Sequence, residues 1–269
     1  MLKDITIGQY VKGDSILHRL DPRTKIFGML AIMVALFFVN NWIGLVYAAV
    51  VVFAVLFASQ VPLKFYIRGV KPLRWILLFT AAIQIFLTPG EIIWQWGILH
   101  ITAEGVRLAI FMCVRLVLLV MTTSVLTLTT TPIVLTDAVE NLLSPFKRIG
   151  VPAHELAMMM TIALRFIPLL ADETEKIMAA QKARGAAFDE GGLMDRARAL
   201  LPILVPLFLS AINRASELAM AMECRCYRGG TGRTRLKVLR CEKQDYIDLA
   251  VCIACFAVIL ASRLVFPNY

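Results

Sequence analysis

From Ile26 to Leu63 the sequence contains no charged residue. A single membrane-crossing helix needs only about 20 predominantly apolar residues, so this run is too long for one span and has to fold back on itself. Asn40-Asn41 divides it into IFGMLAIMVALFFV and WIGLVYAAVVVFAVLFAS, two spans joined by a tight turn. Composition agrees: of 269 residues, 59% are hydrophobic and 17% charged, against roughly 45–50% and about 25% in ordinary soluble domains. Such a surplus excludes a disordered chain, and a water-soluble globule of this size would leave much of it facing water. A bilayer is the expected solvent.

Charges beside the apolar runs set an expected orientation. The first 25 residues are mixed in charge and hold no apolar stretch of the kind a cleavable signal needs, so the first apolar run counts as structure. The segment QVPLKFYIRGVKPLR carries Lys64, Arg68, Lys71 and Arg74 and no acid; by the positive-inside tendency it is cytoplasmic, and the N-terminus with it. A third span follows from Trp75 to about Thr88, then a segment whose Trp94 and Trp96 fit an outer interfacial belt. The fourth span covers Val106 to Thr130. Its Arg115 is either a functional intramembrane cation or a structural one that pairs or snorkels. Its hydroxyls, from Thr122, Thr123 and Ser124 to Thr127 and Thr129–Thr131, can bond their own helix or knit neighbours.

Between Pro132 and Lys243 apolar and charged residues interleave at helical spacing, so these helices are not expected to sit wholly in lipid. A last span runs from Tyr246 to Val265. The expected fold is all-α, a multi-pass membrane protein with about five transmembrane helices plus long amphipathic cytoplasmic helices. Its parts are residues 1–131 with four spans, 132–243 as a cytoplasmic or interfacial region, and 244–269 with the last span. A net charge of +9 would suggest nucleic acid for a soluble protein, but here the basic residues crowd short segments between apolar runs, where they face anionic headgroups. The bilayer, and no nucleic acid, is the expected partner. Six cysteines in a chain this long form no disulfide framework, and Cys113, Cys252 and Cys255 lie inside apolar runs as small hydrophobes.

Residues 132–243 hold the most informative pattern. A helix after Pro168 is expected to carry Asp172, Glu173 and Glu175 in its first turns and Lys182 and Arg184 in its last, followed by Gly185, the charge order the helix dipole favours. A second, from LLPILVPLFL through NRASELAMAMECRCYRGG, ends with Arg225 and Arg228 ahead of Gly229-Gly230. Ala183-Arg184-Gly185 aligns with Cys224-Arg225-Cys226. In each, an arginine stands between small residues, so another protein's surface can approach the backbone while the guanidinium reaches a carboxylate. Two ordinary basic helix ends are the plainer alternative.

LHRLDPRTK at residues 17–25, ALRFIPLLADETEKIMAAQKARG at 163–185 and AMECRCYRGGTGRTR at 221–235 resemble the transmembrane scaffold subunit of energy-coupling factor (ECF) transporters, the EcfT family, and the likeness runs over essentially the whole chain. The resemblance implies that the two Ala-Arg-Gly-type motifs, here Ala183-Arg184-Gly185 and Cys224-Arg225-Cys226, lie on long coupling helices. Each would dock into a groove of one of two P-loop ATPase subunits. It implies a non-catalytic chain in the cell membrane that binds no cofactor, with ATP and magnesium held by the partner ATPases. Their motion would pass to one or more separate substrate-binding membrane subunits for vitamin or micronutrient uptake. Cys224 and Cys226 replace alanine and glycine of the commonest motif and keep it small, although Cys226 leaves a flexible ending less certain. The apolar block of Leu200, Leu201, Ile203, Leu204, Leu207 and Phe208, interrupted by Pro202 and Pro206, is a candidate platform for those partners. Met158–Met160, Met178, Met194, Met220 and Met222 are either an adaptable partner surface or core filler.

Other chemistries find little support. Gly229-Gly230-Thr231-Gly232-Arg233-Thr234 lacks the lysine of a phosphate loop, and His18, His100 and His154 stand without a nucleophile at recognisable spacing. Cys224 and Cys226 have only Cys241 near them in sequence, short of a four-ligand zinc site, so no metal is expected. The alternative function is a conventional ABC importer permease that lines its own substrate path.

Overall fold

The computed structural model describes residues 10–96, 99–186, 192–229 and 243–265. They form two compact units, residues 10–135 with 243–265 and residues 136–229.

The first unit contains a single-turn helix α1 (Ile16–Arg19) and the helices α2 (Pro22–Phe38), α3 (Trp42–Ser59), α4 (Leu63–Val70), α5 (Arg74–Leu87), α6 (Ala103–Thr129) and α10 (Lys243–Val265). The helix starts follow local chemistry. Asp21 caps α2 by accepting from the Arg23 amide at 2.9 Å, with Pro22 in the first turn. Asn41, at the dividing pair, caps α3 through the Gly44 amide at 3.0 Å. α6 lies at the centre, against α2, α3, α4 and α5, while α10 packs on α2 and α3. The core draws Leu36, Val52, Leu56, Tyr66 and Val125 into one cluster. Tyr66 is buried with its hydroxyl 2.8 Å from Ser59 Oγ. Outward faces are as apolar as the core: Val46, Val50 and Phe57 of α3 and Trp75, Leu78 and Phe79 of α5 are exposed, as expected of helices solvated by lipid.

One feature departs from the all-helical expectation. Between α5 and α6 the chain forms an antiparallel hairpin, β1 (Ile92–Trp96) with β2 (Leu99–Thr102), pairing Gln95 with His100 and Trp96 with Leu99. The side chains of Trp94 and Trp96, expected in an interfacial belt, lie outside the described residues. At the hairpin's exit Thr102 caps α6, accepting from the Gly105 amide at 3.1 Å and donating to the Thr88 carbonyl at 2.9 Å. A Cβ on Gly105 would stand 2.7 Å from the carbonyl oxygen of Gln84, so Gly105→Ala is expected to force α5 from α6. The cost should be about 1–3 kcal/mol, as for other overpacked contacts, read as lost thermal stability in detergent.

The second unit contains most of α7 (Pro132–Leu143), then α8 (Ala153–Ala183) and α9 (Leu193–Cys224). His154 Nδ1 lies 3.0 Å from Glu140 Oε1, tying α7 to α8. The helix expected to begin after Pro168 instead begins at Ala153 and runs through the proline. Five helices among the described residues are long and apolar enough to cross a membrane: Trp42–Ser59, Leu63–Leu87, Ala103–Thr129, Ala153–Ala183 and Arg198–Cys224. The last two fall within 132–243, the stretch read from sequence as cytoplasmic or interfacial. In α8 most charges gather from Asp172 to Lys182, and in α9 they stand at both ends, at Asp195, Arg196 and Arg198 and again from Arg214 onward, which leaves long apolar stretches between. α2, with 17 residues, is shorter than these.

Candidate functional site

The two motif helices end in the same way. The amide of Arg184 bonds back to Ala180 and Gln181, that of Gly185 to Lys182 at 3.0 Å, and that of Ala186 to Gln181 at 3.0 Å. Forty-one residues on, the amide of Arg225 bonds to Ala221 and Met222, that of Cys226 to Glu223 at 2.8 Å, and that of Tyr227 to Met222 at 3.0 Å. Both are Schellman caps, in which the residue after the cap turns left-handed and two orphan carbonyls are satisfied. Gly185 has φ +88° and Cys226 φ +53°. The glycine position therefore has a conformational reason that side-chain size alone did not reveal, and Cys226, not Gly229-Gly230, terminates α9.

Left-handed backbone costs a side-chain-bearing residue about 1–2 kcal/mol relative to the right-handed form. Cys226→Gly is therefore expected to tighten the second cap by about 1 kcal/mol, and Gly185→Ala to loosen the first by a similar amount. Slower and faster exchange of the Tyr227 and Ala186 amides, respectively, would register these changes.

Each cap places its arginine at the equivalent position. Arg184 and Arg225 are exposed, as are Ala183, Gly185, Cys224 and Cys226, and neither guanidinium makes a hydrogen bond or ion pair among the described residues. α8 and α9 pack with Glu173 3.3 Å from Arg214 and Gln181 Nε2 donating to the Pro202 carbonyl at 3.4 Å. A Cβ on Gly229 would stand 3.9 Å from Glu155 Oε1. These contacts make the pair antiparallel, so the two arginines occupy opposite ends, separated by roughly 35 Å at 1.5 Å per residue. Two surfaces, and not one cleft, are on offer.

On α9, Leu200, Leu201, Leu204 and Phe208 are exposed and Leu207 is half-buried. Ile203 corrects the expected platform: at 4% exposure it is turned inward, because its place on the helix faces protein while 200, 201, 204 and 208 face away. Met159, Met160, Met194 and Met220 are also exposed, so these four are not core filler within the chain. Among the described residues no three histidine, cysteine or acidic side chains converge as a metal site. Cys241, together with the rest of residues 230–242, lies outside the described residues.

Two features of the first unit acquire partners that the sequence left open. Arg115 finds its partner within the chain: its guanidinium donates to the Val39 carbonyl at the C-terminal end of α2 and lies 4.7 Å from the Phe111 ring centroid. The second is the LHRLDPRTK segment, which builds a buried polar knot. Lys25 Nζ donates to the carbonyls of His18 at 3.4 Å and Thr129 at 3.3 Å and to Thr130 Oγ1 at 3.4 Å, and is attracted by the carboxylates of Asp21 and Asp245. Asp245 in turn accepts from the Asp21 amide at 2.8 Å and from Thr24. One cation thus joins the start of α2, the end of α6 and the start of α10. The hydroxyls of Thr122, Thr123, Ser124 and Thr129 bond carbonyls four residues back in their own helix.

Apolar helices of membrane-crossing length, with outward faces as apolar as their core, define a multi-pass helical membrane protein. The profile of the CbiQ family, described as cobalt transport protein, matches residues 13–236. Relatives named energy-coupling factor transporter transmembrane protein EcfT are similar along nearly their full lengths. That of Ruminiclostridium cellulolyticum is 51% identical over 99% of this chain and 100% of its own. That of Acidaminococcus fermentans is 52% identical over 98% of each, and that of Thermosediminibacter oceani 54% over 91% and 92%. The chain belongs to this CbiQ/EcfT family and is a transmembrane component of an ECF transporter.

Proposed function

We propose that the chain transmits ATP-driven motion of two P-loop ATPase subunits to a separate substrate-binding membrane subunit, for uptake of a vitamin or micronutrient. The observation that carries this reading is the pair of equivalent left-handed caps, each presenting an exposed arginine with no partner among the described residues. The ATPases hydrolyse ATP with their magnesium, and the chain itself is not catalytic. Each guanidinium enters a groove on one ATPase and meets a carboxylate there. Rigid helices of more than 30 residues carry the displacement to the exposed apolar face around Leu201, Leu204 and Phe208, where the substrate-binding subunit rests.

In this reading α8 and α9 lie along the cytoplasmic face of the membrane instead of crossing it, so that both caps, at opposite ends of the pair, face the cytoplasm together with the N-terminus, in keeping with Lys64, Arg68, Lys71 and Arg74 on the segment after α3. The exposed methionines suit a scaffold shared by several substrate-binding subunits. Purification from native membranes tests the reading: two ATPases and a separate small membrane protein should accompany the chain. Uptake by the chain and ATPases alone would favour a conventional permease.

A further inference from the structure

The end of α2 far from Lys25 borders a cavity that plays no part in coupling. It measures about 560 Å³ and lies between residues 40–43, at the α2–α3 turn, and one face of α6, within the ~300–1,000 Å³ range of small-ligand sites. On that face Glu104, Arg107, Leu108, Phe111 and Arg115 recur at helical spacing. Because Arg115 reaches Val39 just beyond the end of α2, the first three turns of α6 extend past the α2–α3 turn. The cavity occupies that step, at the end of the apolar helices.

Its chemistry is that of a site for one negative charge on an apolar stem. The lining carries two cations and one acid. Glu104 Oε2 already accepts from the Glu91 amide at 2.7 Å. Arg107 is exposed and makes no hydrogen bond or ion pair among the described residues. Arg115 is half-buried and lines the cavity, and its guanidinium brings a second positive charge to the wall. Trp42 and Phe111 meet edge to face, with centroids 5.6 Å apart, and with Ile43, Leu108 and Met112 form the apolar part of a lining that also holds Asn40 and Asn41. Below the cavity, Ile43, Val46 and Val50 form an exposed stripe down α3.

We propose that this cavity binds the headgroup of an anionic phospholipid, the phosphodiester held by Arg107 and Arg115 and an acyl chain laid along Ile43, Val46 and Val50. Guanidinium groups suit a phosphate, the lining's excess of one positive charge matches a phosphodiester monoanion, and the stripe continues into the lipid-facing surface of α3. A free phosphate shares the anion but not the stem.

Native mass spectrometry of the full chain from mixed micelles, with equal phosphatidylglycerol and phosphatidylcholine of the same acyl chains, tests the site. One phosphatidylglycerol should be retained with a preference of roughly five-fold or more. Arg107→Gln should bring the ratio to parity, as should Ile43→Trp, which fills the cavity without changing charge. Equal retention of the two lipids by the unaltered chain, or a preference that survives both substitutions, would overturn the proposal. Displacement of the lipid by equimolar inorganic phosphate would assign the site to a free anion and also overturn it.

Discussion

Arg184→Glu combined with Arg225→Glu is expected to abolish ATP-dependent uptake while the chain still inserts and purifies as a monodisperse species. Both arginines are exposed and unpaired among the described residues, so reversing their charge costs the fold only the helix-dipole interaction, about 0.3–1 kcal/mol each. Were they plain surface groups, each would contribute ~0–1 kcal/mol to any ion pair. Buried against a partner's carboxylate, each loss costs roughly 2–5 kcal/mol, or about 30- to several-thousand-fold in affinity, and the new glutamate adds like-charge repulsion. With both caps altered, no ATPase contact of full strength is left. Transport into proteoliposomes measures the effect; rates like those of the unaltered chain would remove the arginines from the mechanism.

Lys25→Met is expected to give the largest loss of stability. Lys25 is 5% exposed, and Asp21 and Asp245 are 6% and 3% exposed, so removal of the cation strips a counter-charge from buried carboxylates. The oxygens of His18, Thr129 and Thr130 lose their charged donor as well, and each buried group left unsatisfied costs about 1–3 kcal/mol. Adding Asp245→Asn should recover part of that, with a coupling energy on the order of 0.5–3 kcal/mol between the two sites. Chemical unfolding in mixed micelles would show both. A loss below about 1 kcal/mol for Lys25→Met would mean that the knot does not hold the three helix ends together.

Signals local to a few residues were the legible ones. Asp21-Pro22, Asn41 and Gly185 mark where helices start or stop through hydrogen bonds to their own neighbours, and the uncharged run from Ile26 forces a hairpin of spans whatever lies elsewhere. What sequence did not disclose depends on distance or on backbone angle. Lys25 meets Thr129 across 104 residues and its group includes Asp245, partners that no spacing rule selects. The partner of Arg115 is not legible in sequence because its acceptor is a backbone carbonyl 76 residues away, which has no side-chain signature. The alternating β-branched and aromatic residues after Glu91 carried a strand signal that was overshadowed by their tryptophans. At the site, the equivalence of the two motifs was visible from their alignment. The reason glycine is usual where Cys226 stands lies in the left-handed turn there, which cysteine adopts only at a cost.

The number of ATPase subunits that purify with the chain tests the central claim most directly, because the account makes the two caps the docking points. Light scattering or native mass spectrometry of the detergent-extracted complex should find two ATPases with the unaltered chain and none with the Arg184→Glu, Arg225→Glu variant. Two ATPases still bound to that variant would contradict the account.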